Sequence, residues 1–383
     1  MAALLPPLPV VSLPLADCLG LVLAEDVVAA VSLPPFDNSA MDGYAVRAAE
    51  VAAAPVRLPV ADDIPAGRTD VRPLAPGTVH RIMTGAPLPP GADAIVQVEE
   101  TDGGTETVEI RMSVRAGLSV RRTGEDVVSG TVVLTAGTVL HPPQLGLAAA
   151  VGLATLRVRR PPRVVVLSTG TELVAPGSPL PPGHIYESNS VLLAAAVRQL
   201  GGQAIVLRSV ADDVDLFRAS LVDHGDADLL ITSGGVSAGA YEVVKDAFSG
   251  HGVDFVRVAI QPGGPQGCGR WGTLPVVTLP GNPVSAALSF ELFIRPALLN
   301  ALGHKMVDRP HAIARASAPM TSPAHRTQYR RGRHDEGLVE VVPVGGPGSH
   351  LLASFAASNC LIVIPEGVDS VDVGDEVQLI LLD

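Results

Sequence analysis

The sequence has few aromatic residues and a low proportion of charged ones, and both shortages limit the classes of function that the protein could have. Phe, Trp and Tyr together make up 3% of the 383 residues, which leaves few surfaces on which nucleic-acid bases could stack. The formal charge of −12 also argues against a nucleic-acid partner, because neutralising a phosphate backbone requires a dense basic surface. An anionic ligand would therefore have to be held by local groups.

Cysteine clusters and long hydrophobic runs are also missing. Cys18, Cys268 and Cys360 lie far apart and form no C-x-x-C or Cys/His cluster, so we expect neither a disulfide framework nor a zinc site. The 39 glycines and 34 prolines interrupt every apolar stretch, so we expect no membrane partner. The N-terminal MAALLPPLPVV has no basic flank and is rich in proline, unlike a signal peptide. These features predict a cytoplasmic protein.

The chain is too long for one hydrophobic core, which stops growing near ~250 to 300 residues. Residues 161–303 alternate β-branched runs with helical stretches, which indicates a central parallel α/β domain. Residues 32–127 and 304–383 show short apolar runs between Gly/Pro turns, typical of two small β-rich domains. Residues 1–31 together with 128–160 would form a discontinuous N-terminal linking domain. The predicted fold class is multidomain α/β plus β.

The loops after the strands of the α/β domain are the first candidates for a site, because ligands bind beyond the carboxyl ends of parallel strands. In LLITSGGVSAG, Ser233, Gly234, Gly235 and Ser237 directly follow a strand. Glycine allows backbone N–H groups to approach an oxyanion, and a following helix adds its positive dipole end. An ordinary turn between a strand and a helix, which needs glycine for its backbone conformation alone, would also explain these residues.

Two further loops belong to the same sheet edge. In LPGNPVSA, Asn282 is expected to cap a helix and Pro283 to occupy its first turn. In QPGGP, residues Pro262, Gly263 and Pro265 fix an unusual backbone path. Three such loops at one edge favour a binding site over three unrelated turns.

Acidic residues are predicted near the same strand ends. Glu172, Asp212 and Glu242 could together hold Mg²⁺, a hard ion that binds a few carboxylates and keeps several waters. Each alone is equally a helix cap or a solvated charge; Asp212 could cap the helix that follows it.

Seven motifs occur in a fixed order: FDNSAMDGYAV, RIMTGAP, RRTGED, STGTEL, SGGVSAG, PGGP and LPGNPVSA. Together they resemble the MoeA family of molybdopterin molybdenumtransferases, which is homologous to the C-terminal domain of gephyrin, and the resemblance covers nearly the whole chain. It implies that the central domain binds molybdopterin. It also implies that the enzyme inserts molybdate into adenylylated molybdopterin, replacing copper on the dithiolene and releasing AMP.

The resemblance further implies a homodimer with its active cleft between subunits, Mg²⁺ as cofactor and molybdopterin adenylyltransferase as the upstream partner. Asp42 and Thr84 would reach across the dimer interface, with Asp126 on the same β module, while Glu172 and Asp212 would line the α/β side. Asp212 and Glu242 would hold the metal. The remaining residues implied to bind the substrates are Ser233, Gly234, Gly235, Ser237, Pro262, Gly263, Pro265, Asn282, Pro283, Arg331 and Ser349, the last two contacting molybdate.

One departure from the family bears on activity. Where many members have KPGKP, this chain has QPGGP, with Arg257, Gln261 and Gly264 at the positions matching lysines. Fewer ammonium groups would weaken an anion site, although arginine substitutes in part. A catalytically weakened paralogue that carries molybdopterin or its adenylate therefore stays as an alternative. An adenylyltransferase acting one step earlier fits less well, because those enzymes resemble the α/β domain alone.

Overall fold

The computed structural model describes residues 4–207, 213–235, 243–335 and 337–382. Asp212, Ser237 and Glu242, three of the predicted site residues, lie outside these ranges. Within them the predicted fold class is confirmed, because a central α/β sheet is accompanied by separate β-rich units.

The N-terminal part of the chain is made of strands and short turns. Strands β1 and β2 precede an inserted β module that contains a five-stranded sheet in the order β7-β4-β6-β5-β8. Its helical content is limited to the 3₁₀ turns Ala48–Val51 and Val98–Glu100, as expected from its short apolar runs. The strands are β1 (Val10–Pro14), β2 (Val27–Val28), β3 (Asn38–Ser39), β4 (Gly43–Val46), β5 (Val56–Ile64), β6 (Val79–Ile82), β7 (Ala94–Gln97), β8 (Thr107–Ile110) and β9 (Val120–Arg121).

After the module, the chain returns to the N-terminal segment. Strand β10 (Val132–Leu134) pairs antiparallel with β2, helix α1 (Pro142–Ala150) follows, and β11 (Thr155–Arg159) pairs antiparallel with β1. Buried side chains from both segments, among them Cys18 and Val158, share one hydrophobic cluster. The two ends of the inserted module therefore meet on one small domain.

The central domain has a six-stranded sheet in the order β15-β12-β16-β20-β19-β17 with helices on both faces. On α3, the side chains of Phe217 and Leu221 are buried against the sheet. The elements are β12 (Arg163–Ser168), β13 (Leu173–Val174), β14 (Ile185–Tyr186), α2 (Asn189–Gln199), β15 (Gln203–Leu207), α3 (Val214–Leu221), β16 (Leu229–Ser233), α4 (Val243–Phe248), β17 (Val253–Arg257), β18 (Ile260–Gln261), β19 (Pro265–Trp271), β20 (Leu274–Leu279), α5 (Pro283–Ser289) and α6 (Arg295–Leu302), with a π-helix at Phe290–Ile294.

One edge of this sheet differs from the expected all-parallel arrangement. Strand β19 pairs antiparallel with both β20 and β17. Its glycine-rich sequence QGCG does not have the apolar pattern of a strand. The glycines are needed because a Cβ at Gly267 would lie 2.2 Å from Thr278 Oγ1 of the neighbouring strand.

The helical stretch Pro283–Leu302 is, within the described residues, the one helix long and apolar enough to cross a membrane. Of its most apolar window of 18 residues, 67% is buried inside the protein. Phe290, Ile294 and Leu298 lie in the cluster under the central sheet. Its apolar character is therefore that of a core helix.

The C-terminal domain is a closed barrel. Strand pairing runs β23-β24-β21-β27-β25 and back to β23, while β18 of the central domain adds to β23 in parallel. The QPGGP loop is thereby attached to the barrel. The elements are β21 (His311–Ala316), β22 (Met320–Thr321), β23 (Thr327–Arg333), β24 (Glu340–Pro343), α7 (Leu352–Ala356), β25 (Cys360–Ile364), β26 (Ser370–Val371) and β27 (Glu376–Leu381).

Candidate functional site

Three strands of the central sheet end side by side and open into a cavity of about 640 Å³, which we call the strand-end cavity. Strands β12, β16 and β20 are parallel neighbours, so the loops that follow them meet at one edge. The exposed carboxylate of Glu172 belongs to the first loop. The polar and glycine residues that line the cavity include Thr169, Gly170, Thr171, Glu172, Asn189, Ser233, Gly234, Gly235, Asn282 and His350.

The glycines of SGGVS are required by the backbone, but not all their N–H groups face the cavity. Gly234 and Gly235 have φ values of +95° and +66°, which favour glycine. The N–H of Gly234 donates to Leu279 O at 3.1 Å, so this N–H already has an acceptor within the protein. This N–H is used to join the ends of β16 and β20.

Asn189, at the start of α2, ties the loops together. Its Nδ2 donates to Ser233 Oγ at 2.7 Å and to Gly281 O at 2.6 Å. Ser233 Oγ in turn donates to Pro280 O at 3.3 Å. One amide group thus links the start of α2 to the ends of β16 and β20. The sequence did not single out Asn189, because a Ser-Asn pair before a helix is an ordinary helix start.

We expect Asn189→Ala to lower activity about tenfold or more, because two hydrogen bonds that hold the cavity loops are lost. Asn189→Asp should be at least as harmful, since a carboxylate cannot donate to the Gly281 carbonyl. The measurement for both variants is steady-state release of AMP, the product that the resemblance implies, with the melting temperature recorded alongside. Asn300→Ala, an exposed asparagine on α6, is the matched control; equal activities for Asn189→Ala and Asn300→Ala would contradict the assignment.

A second cavity, of about 400 Å³, lies between the central domain and the barrel, and we call it the barrel-side cavity. Arg257 from the end of β17 and Arg326 from the loop before β23 supply its positive charge. The lining residues predicted from the sequence are Pro262, Gly263, Pro265, Asn282 and Ser349. Arg326 was not predicted, because it lies in a loop with no motif of its own.

The two cavities share the turn at Gly281 and Asn282. Asn282 occupies the N-cap position of α5, but its side chain makes no capping hydrogen bond, so that prediction is wrong. The N–H of Val284 donates instead to Ser349 O at 3.1 Å. A barrel carbonyl therefore takes the place of the side-chain cap, and Asn282 is left facing both cavities. Pro283 begins α5 as predicted.

Two buried arginines stand behind the barrel wall of this cavity. Arg331 is 1% exposed, and its guanidinium donates to Gly346 O and, at 3.2 Å, to Gly348 O. Arg330 donates to Gly345 O at 3.2 Å. Burial lowers the pKa of both guanidinium groups, and their mutual repulsion lowers that of Arg331 further. Arg331 thus holds the loop that carries Ser349, and it is not among the residues lining the cavity.

Position 264, where many family members have lysine, leaves limited room for a side chain. A Cβ built there would lie 3.2 Å from Val258 O, which is closer than usual, and 3.7 Å from Arg257 Cγ, which is an ordinary contact distance. The side chain of Gln266, which is 5% exposed, holds the QPGGP loop by donating to Gly263 O at 2.7 Å.

The β module brings its three motifs together. Asp42 Oδ1 accepts from the backbone N–H of Thr84 at 2.6 Å and from its hydroxyl at 2.7 Å, and these bonds, the backbone one first, hold the Asp42 pKa below its usual range. Asp37 accepts from Arg122 Nη1 at 2.6 Å and from the backbone N–H of Thr123 at 2.8 Å. Asp42 and Thr84 are exposed on this surface.

Asp126 lies at the end of the RRTGED motif. It is exposed, and its N–H donates to Leu33 O at 3.0 Å. The hydrogen bonds of Asp42 and Asp37 join FDNSAMDGYAV to both RIMTGAP and RRTGED, which are apart in sequence but adjacent in space.

The fold and its paired cavities define a multidomain ligand-binding protein in which an α/β domain shares its strand-end site with a barrel. The MoeA N-terminal region (domain I and II) matches residues 1–152, the probable molybdopterin binding domain matches 165–300, and the MoeA C-terminal region (domain IV) matches 313–382. The chain belongs to the MoeA family.

Relatives and solved structures agree with that membership. The chain is 55% identical over 381 residues to molybdopterin molybdenumtransferase 2 of Mycobacterium tuberculosis, with 96% of this chain and 94% of the relative covered. It is 36% identical to molybdopterin molybdenumtransferase of Haemophilus influenzae, with 95% and 92% covered. The molybdopterin biosynthesis MoeA protein of Pyrococcus horikoshii superposes with a TM-score of 0.83 at 34% identity, over 99% of this chain and 95% of that one.

Proposed function

We propose that the chain is a molybdopterin molybdenumtransferase, an enzyme that transfers molybdenum from molybdate to adenylylated molybdopterin and releases AMP. Relatives that are 35% to 55% identical over nearly the whole chain carry that activity in their names. The retained Asp42, Thr84 and Glu172 favour turnover over a purely carrier role.

One observation supports this reaction above all: the two cavities meet at the Gly281–Asn282 turn. The larger, polar cavity suits the nucleotide and pterin phosphates, and the smaller one, with Arg257 and Arg326, suits a tetrahedral oxyanion such as molybdate. A reaction that joins a metal oxyanion to an organic ligand needs both sites in contact.

Magnesium is part of the proposal, with Asp212 and Glu242 as the residues that would hold it. Among the described residues, no three His, Cys, Asp or Glu side chains converge on one point. The described part of the strand-end cavity contributes Glu172 and does not by itself form a magnesium site. Omission of Mg²⁺ from an otherwise complete assay tests the requirement.

We further propose a cytoplasmic homodimer that receives its substrate from molybdopterin adenylyltransferase. Val28 and Val132 face each other across the β2–β10 pair, and each is 50% exposed. Val128, in the segment before β10, is 56% exposed, and exposed apolar side chains of this kind suit an interface. Sedimentation or light scattering tests the dimer.

The decisive assay supplies purified protein with adenylylated molybdopterin, Mg²⁺ and molybdate, and follows AMP together with active cofactor. Molybdate-dependent release of both supports the transferase. Tight binding without release would instead support the carrier alternative, and AMP release without molybdate would contradict the proposed coupling.

A further inference from the structure

The barrel-side cavity contains an amide pair at the junction of the two domains. Gln261 and Gln328 are register partners in the parallel β18–β23 pairing. Gln328 Nε2 donates to Gln261 Oε1 at 2.9 Å. Gln328 is 2% exposed, whereas Gln261 is half-buried and lines the cavity. One glutamine is therefore a wall residue and the other stands behind it.

This hydrogen bond determines which end of the Gln261 amide is left for a ligand. With Oε1 engaged by Gln328, the NH₂ group of Gln261 is the end that remains. If the Gln261 NH₂ group instead donated to Gln328 Oε1, the two N–H groups of Gln328 would be buried without an acceptor. In the structure, the buried atom without a partner is the carbonyl oxygen Gln328 Oε1. Proteins tolerate an unpaired buried carbonyl better than an unpaired N–H.

We propose that Gln328 is a positioning residue that holds the Gln261 amide with its NH₂ group toward the barrel-side cavity, where it donates to the oxyanion. This rests on the proposed function, because it takes molybdate as the occupant of that cavity. Gln261 then acts as a neutral donor where many family members have a charged lysine.

A double-substitution cycle tests the proposal. We expect Gln261→Met to raise the molybdate concentration for half-maximal AMP release about 2- to 10-fold, the effect of losing one neutral hydrogen bond. Gln328→Met should give a smaller rise in the wild-type background and no further rise in the Gln261→Met background, because it acts only through Gln261. The maximal rate should change little in each case.

Two further variants separate positioning from folding. Gln328→Asn keeps an amide that is too short to reach Gln261, so it removes the same hydrogen bond and replaces Gln328→Met in the test if that variant folds poorly. Gln378→Met, on the exposed face of β27, is the matched control and should leave the molybdate dependence unchanged.

The outcomes separate this inference from the proposed function. Equal effects of Gln328→Met in both backgrounds, or no effect of Gln261→Met, would overturn the positioning role while the wild-type enzyme still consumes molybdate. Failure of the wild-type protein to release AMP in response to molybdate would instead overturn the proposed function.

Discussion

Mixing an Asp42→Asn variant with a Glu172→Gln variant should restore about a quarter of wild-type activity, although each variant alone is nearly inactive. Each single variant is expected to lose about 100-fold, the effect of removing one electrostatic contact to reacting groups. If Asp42 of one subunit and Glu172 of the other share a cleft, each mixed dimer contains one intact site. Random exchange makes about half of the dimers mixed, which gives the quarter.

The structure makes both substitutions conservative. Asp42 Oδ1 already accepts two hydrogen bonds from Thr84, which an asparagine oxygen can also accept. Glu172 is exposed in the loop after β12, where glutamine is nearly isosteric. The measurement is AMP release after the two variants are unfolded and refolded together, compared with each refolded alone. If both residues act within one subunit, the mixture will stay as inactive as its parts.

Replacing Arg331 by methionine should raise the molybdate concentration for half-maximal activity by about 10- to 100-fold. Its guanidinium holds the carbonyls of Gly346 and Gly348, and charged hydrogen bonds of this kind contribute about 1.5 to 3 kcal/mol. Without them, the loop carrying Ser349 loses its fixed position, and the positive charge behind the cavity disappears. Arg331→Lys should be intermediate, because an ammonium keeps the charge but not the planar arrangement of donors.

Arg315→Met is the matched control for Arg331→Met. Arg315 lies on β21 of the same barrel, where it pairs with Glu376 at 3.3 Å on the exposed surface, and such pairs contribute little to stability. Activity and molybdate dependence should remain those of the wild type. An unchanged molybdate dependence in folded Arg331→Met would show that the loop keeps its position without the guanidinium.

The α/β domain was predictable because its signals are local. Four β-branched runs that alternate with helical stretches form the parallel strands β15, β12, β16 and β20, and Phe217 and Leu221 of α3 are buried against them. The antiparallel edge was not predictable, because QGCG forms a strand only by packing closely against Thr278. Asn282 was predicted as a cap from its helix-start position, but Ser349 of another domain satisfies that N–H instead.

By itself, the sequence determined the fold class, the family and part of the cavity walls, since motifs such as LPGNPVSA are contiguous in the chain. Only the tertiary structure decided which of those segments lie together and hydrogen-bond to one another. Asn189 holds Gly281 across 92 positions, and Gln328 holds Gln261 across 67. Hydrogen bonds between residues so distant leave no periodicity in the chain, because their partners become neighbours only when sheet and barrel have packed together.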